Sequence, residues 1–92
     1  MHAVLLEVDL SGTEREEGLK NLRETVVPRV KQAPGFQSGN WLGPLAGKGL
    51  SLVVFDGEEN AQAMAAILAV GSSPSPGVTV ERCEVREVVA SA

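Results

Sequence analysis

The chain has 92 residues, 8 basic and 12 acidic, for a formal net charge of −4, which fits one domain spanning residues 1–92 around one core. The acidic balance disfavours sequence-blind binding to nucleic-acid backbones, with no Lys/Arg cluster to argue otherwise, and no apolar run approaches the roughly 18 residues of a membrane span. A single cysteine, Cys83, excludes an intrachain disulfide and a multi-cysteine metal site. No metal is expected, Cys83 reads as a small, partly buried apolar residue, and the N-terminus lacks the pattern of a signal peptide, so a cytoplasmic location is expected.

The first element is His2 to Leu10, HAVLLEVDL, where Val4, Leu6, Val8 and Leu10 share one parity against Ala3, Leu5, Glu7 and Asp9. That alternation predicts a strand with one apolar and one mixed face. In SGTERE, Thr13 with Glu16 has the spacing of a capping box at a helix start. Leu19, Leu22, Val26 and Val30 then form a core-facing stripe, with Arg15, Glu16, Lys20, Arg23 and Glu24 on the solvent side. Pro28 removes a backbone donor and clashes with the preceding turn, predicting a kink near Val27 or a restarted last turn. Ala33-Pro34-Gly35 ends the segment.

A second strand is predicted from Phe36 to Leu42, and Gly43 to Gly49 reads as a hairpin loop or wide turn. Leu50 to Phe55, LSLVVF, is the most apolar strand and is expected to be central. Asp56 with Glu59 repeats the capping-box spacing before an Ala-rich helix from about Glu58 to Val70, with Ala61, Met64, Ala65 and Leu68 as its seam. Gly71 to Gly77 is a flexible exit loop, and Val78 to Val89 is the last strand.

The order β-α-β-β-α-β predicts the α+β, ferredoxin-like split βαβ fold: an antiparallel four-stranded sheet with both helices on one face. Topology alone does not name a function. An RNA-recognition motif needs stacked aromatics and a basic surface, and a metal-chaperone domain needs a Cys-x-x-Cys loop where this chain has SGTERE. An amino-acid-sensing regulatory module stays open, with Gly12 a loose fit to its usual turn.

Pro34-Gly35-Phe36 at a helix-to-strand junction, Trp41 in the following strand, and SLVVFDGEENAQAMAA (Ser51 to Ala66) together resemble the dimeric α/β-barrel superfamily, most closely its antibiotic-biosynthesis-monooxygenase branch. The resemblance covers nearly the whole chain. It implies a homodimer whose two sheets face each other around a barrel interior able to hold a small hydrophobic ligand. It also implies chemistry without a cofactor: a monooxygenase or isomerase acting on a hydrophobic aromatic or enolisable molecule. Haem-degrading relatives need a histidine on the second helix, and this chain has none there. The competing reading is a non-catalytic, ligand-binding or stress-associated homodimer.

Strand parity then selects ligand-pocket candidates. With Val4, Leu6 and Val8 toward the helices, Leu5, Glu7 and Asp9 face the partner sheet. With Phe36 toward the helices, Gln37, Gly39 and Trp41 face it as well, unless a bulge at Ser38-Gly39 shifts the register. Glu7, Gln37 and Trp41 are thus expected to converge on the barrel interior, joined from the last strand by either Arg82 and Glu84 or Cys83 and Val85. Trp41 is either a wedge in a dimer core or an aromatic wall. Glu7 is either paired with Arg82 or Arg86 or a general base. Asn40 points away from Trp41, and His2, at a strand start, is expected to be idle.

Overall fold

The computed structural model describes residues 1–92. Alternation in the first segment produces β1 (His2–Asp9), followed by helix α1 (Arg15–Asn21), a π-helical segment (Leu22–Val26) and α2 (Val27–Lys31). Strands β2 (Phe36–Leu45) and β3 (Lys48–Phe55), helix α3 (Glu58–Ile67) and β4 (Thr79–Glu87) complete the chain. The sheet order is β2-β3-β1-β4 with every neighbouring pair antiparallel, the ferredoxin-like α+β arrangement. The apolar β3 is interior, as expected.

Pro28 acts as anticipated, through a distinct device. In a continuous α-helix its ring would strike the Glu24 carbonyl and its missing N–H would leave that carbonyl unpaired. The helix widens instead: the Val27 N–H donates to the Leu22 carbonyl, five residues back, and a new α-turn opens with Pro28 in its first positions.

Neither capping box forms. Helix α1 has Glu14 at its N-cap and α3 has Gly57, each without a side-chain cap. The Asp56 carboxylate accepts from Asn60 Nδ2 at 2.9 Å, while the Asp56 N–H donates to the Gly35 carbonyl. This pairing explains the Pro-Gly-Phe junction. Gly35 sits at φ +79°, and a Cβ there would lie 2.3 Å from Asp56 Oδ1 and 2.4 Å from Asn60 Nδ2. Glycine is therefore required both for the reversal and for the approach of the α3 start.

The Gly43 to Gly49 stretch is not a wide loop. Leu45 pairs with Lys48, so only Ala46 and Gly47 form the turn, at φ 53° and 77°. Two consecutive positive φ values match the right-handed twist of the hairpin but strain the alanine. Helix α3 and β4 are also shorter than expected, ending at Ile67 and Glu87.

One packed cluster sits where β1 begins and β3 ends, with Val4, Val53, Phe55 and Ala61 buried together, and Val78 and Val80 are buried at the other end of the sheet. Phe36 meets Phe55 edge-on with ring centres 6.5 Å apart. No residue of α1, the π segment or α2 is buried, and no helix is long and apolar enough to cross a membrane. Ala46→Asn is expected to raise unfolding stability by about 0.5–1 kcal/mol, because asparagine tolerates the left-handed region better than alanine. Urea denaturation checks this, and unchanged stability would contradict the strain at Ala46.

Candidate functional site

The register places the candidate residues on two different faces. Val4 pairs with Val53 and Leu6 with Ser51, so Val4, Leu6 and Val8 face the helices as expected. In β2, however, Phe36 pairs with Phe55 whereas Ser38, two residues on, pairs with Val54. The register shift at Gln37 makes both Phe36 and Gly39 helix-facing. Trp41, opposite Ser51, follows them to the helix side. The expected convergence of Glu7, Gln37 and Trp41 is therefore corrected by one inserted residue.

Trp41 folds back over Gly39. A Cβ on that glycine would lie 2.8 Å from the indole Cη2, so the ring rests on bare backbone. From there Trp41 lines a cleft of about 460 Å³ between the first helix and the sheet. Its floor is Leu6, Val8 and Ser51; its roof is Leu19, Leu22, Val26 and Val30; Met64 and Leu68 close the α3 side. The intended core stripe of the first helix thus faces a space.

The cleft extends toward the sheet end where β1 finishes, the β2–β3 hairpin turns and β4 begins. There Thr13, Glu14, Arg15 and Ser75 are the lining polar residues. At that end the β1–α1 loop meets the Gly71–Gly77 loop backbone to backbone. A Cβ on Gly77, at φ +77°, would lie 2.1 Å from the Gly12 carbonyl oxygen. The Ser73 hydroxyl, 2.8 Å from the Ser75 carbonyl and 2.7 Å from the Val78 carbonyl, organises this loop from within.

Ser51 was not among the candidates. It is the only polar residue among the buried positions, at 6% exposure. The signal was present in LSLVVF: Ser51 shares the parity of Val53 and Phe55, which places a hydroxyl on the apolar face of the most apolar strand.

The opposite sheet face carries the other candidates. Glu7 lies between Leu50 and Arg82 in the register, with Arg82, Glu84 and Arg86 along β4 on the same side. This settles the β4 alternation: Cys83 and Val85 face the helices, where the half-buried Cys83 lies 3.9 Å from the Ala65 carbonyl. Burial pushes the Cys83 thiol pKa up. Glu7 forms no ion pair with Arg82, whose guanidinium lies 2.8 Å from Glu84 instead, with Arg86 at 3.5 Å. Gln37 is exposed in the bulge, and Asn40, opposite Leu52, faces the open side. Leu42, Leu50 and Leu52 are exposed on that side. Of Glu7, Gln37, Trp41 and Arg82, only Trp41 lines the cleft.

His2 is not idle at a frayed end. It faces the helix side opposite Phe55, and its Nε2 lies 3.3 Å from Glu58 Oε2. No group of three or more His, Cys, Asp or Glu is placed to hold a metal ion. No protein-family model, curated protein or solved structure matches the chain.

The hydrogen bond from Arg82, reinforced by the charges of Arg82 and Arg86, holds the Glu84 carboxyl below its ordinary 4.5. A depressed acid contributes stability above its unfolded pKa and loses it as pH falls through the folded value. Arg82→Gln is expected to raise the Glu84 midpoint toward 4.5 in an NMR titration and to shrink the acid-side loss of stability. An unmoved midpoint would show that Arg82 is not the cause.

Proposed function

We propose that the protein binds a small, predominantly apolar molecule in the cleft between its first helix and its sheet, with Trp41 as a flat wall. The observation supporting this is the size of the cleft set against its lining. The cleft is partly open and walled mainly by apolar side chains, so it holds apolar surface against water that a bound apolar molecule would cover. Water is a poor filler, because a buried water needs two to four polar partners. The walls here are mostly Leu, Val, Met and Trp side chains. An apolar ligand satisfies both conditions.

The resemblance to the antibiotic-biosynthesis-monooxygenase branch suggests a cofactor-independent oxygenase or isomerase. Such chemistry needs a base and an oxyanion partner beside the substrate. Glu7, Gln37 and Arg82, the polar groups first considered for this, lie outside the cleft. The arrangement therefore favours ligand binding over catalysis by those residues.

Self-association through the open sheet face belongs to the same proposal. Leu42, Leu50 and Leu52 are exposed there, beside a β4 row with both charge signs, Arg82, Glu84 and Arg86. Such a face suits a twofold interface in which each patch meets its own copy. Leu42 and Leu50 also border the cleft at its rim, whereas Leu52 does not, so Leu52 is the residue of this patch that separates pairing from cleft binding.

Both parts are testable. 1-Aminoanthracene is expected to bind, quenching the single tryptophan by energy transfer, and Trp41→Ala is expected to weaken binding roughly tenfold. Absence of binding, or full affinity in the variant, would contradict the cleft reading. Light scattering at micromolar concentration is expected to give twice the 9.6 kDa chain mass. Leu52→Lys is expected to return it to the single-chain mass with probe binding retained; a native monomer would contradict the dimer.

A further inference from the structure

Ser51 sits at the meeting point of the packed core and the cleft. Its cross-strand neighbours are Leu6 on β1 and Trp41 on β2, and Gly49 and Val53 flank it on its own strand face. It is 6% exposed and lines the cleft. Its hydroxyl takes part in none of the side-chain hydrogen bonds of the chain. The fully enclosed side-chain atoms without a partner are His2 Nδ1 and Ser72 Oγ; the Ser51 hydroxyl is not one of them, so it stays open to the cleft and free to bond a ligand there. Thr13, Glu14, Arg15 and Ser75, the other lining residues with polar side chains, come from the loops and helix start at the cleft's far end. Ser51 therefore stands alone on the floor.

Resting on the cleft-binding reading, we infer that Ser51 is a specificity-determining residue: its hydroxyl makes the one buried hydrogen bond to the ligand. The ligand class is a neutral, mostly apolar ring system bearing one oxygen function, a hydroxyl or a carbonyl. Serine serves both, since its hydroxyl donates to a carbonyl and accepts from a hydroxyl. With Trp41 directly across the strand, the ring packs against the indole while its oxygen meets Ser51. The neutral class follows from the floor itself, where an ionised group would be desolvated among apolar side chains with no countercharge. A site built around one hydroxyl discriminates against analogues lacking its partner, because the protein group is then left unpaired.

The test compares 2-naphthol with 2-methylnaphthalene, which replaces the hydroxyl by a methyl group of similar size, in equilibrium dialysis. The native protein is expected to prefer 2-naphthol by roughly tenfold, the yield of one additional buried hydrogen bond. Ser51→Ala is expected to bring that ratio to about one through weaker 2-naphthol binding. Ser51→Thr, which keeps the hydroxyl, is expected to keep the preference and guards against a folding defect in the alanine variant. An unchanged ratio in Ser51→Ala overturns the inference. Binding of both naphthalenes without preference by the native protein also overturns it while leaving the cleft reading intact. Binding of neither removes both.

Discussion

One extra residue in β2 decides the character of this molecule. Without the register shift at Gln37, Trp41 would point to the open face of the sheet and Leu42 toward the helices. With it, the largest side chain of the chain turns toward the helices and lies over Gly39. A bulge adds local twist and re-aims every side chain beyond it. Everything distinctive about the helix side, from the aromatic wall to the position of Ser51 opposite it, depends on that shift.

The helical layer completes the arrangement by not settling onto the sheet. Leu19, Leu22, Val26 and Val30 have the spacing of a packed stripe, yet none is fully buried and, of the four, Val30 alone packs against the core cluster. The π segment, required by Pro28, rotates the stripe partway along its length, and α2 meets β2. At the other end of the sheet, Phe55, Val4, Val53 and Ala61 pack as an ordinary core. The fold thus combines this packed cluster with a largely apolar cleft at the other end, beside which Val78 and Val80 are buried as well. Function, on this account, is located where packing was left incomplete.

Much of the fold was legible because it rests on local signals. The alternation of Val4, Leu6 and Val8, the apolar run ending in Phe55 and the Pro34-Gly35-Phe36 junction each fix an element by nearest-neighbour chemistry. The capping boxes failed for a non-local reason: Asp56 is engaged by Asn60 and by the Gly35 reversal, and Thr13 belongs to a loop packed against Gly77. The bulge was legible only as an alternative, at Ser38-Gly39, since Gln37, Ser38 and Gly39 carry no apolar alternation that decides the parity; the shift falls between Phe36 and Ser38. Hence Trp41 was assigned to the wrong face while Glu7 and Arg82 were assigned to the right one. Ser51 was legible in principle, because its parity follows from β3 alone. The cleft was not, since its volume depends on how far a helix stands from a sheet.

Whether the first helix stands off the sheet can be read from xenon-pressurised crystals. Xenon enters apolar space without needing hydrogen bonds, so it reports whether the helix–sheet gap exists in the unliganded protein. The account predicts xenon density bounded by Trp41, Ser51, Leu6 and Leu22. An absence of xenon, with Leu19 and Leu22 in van der Waals contact with Leu6 and Val8, would contradict it.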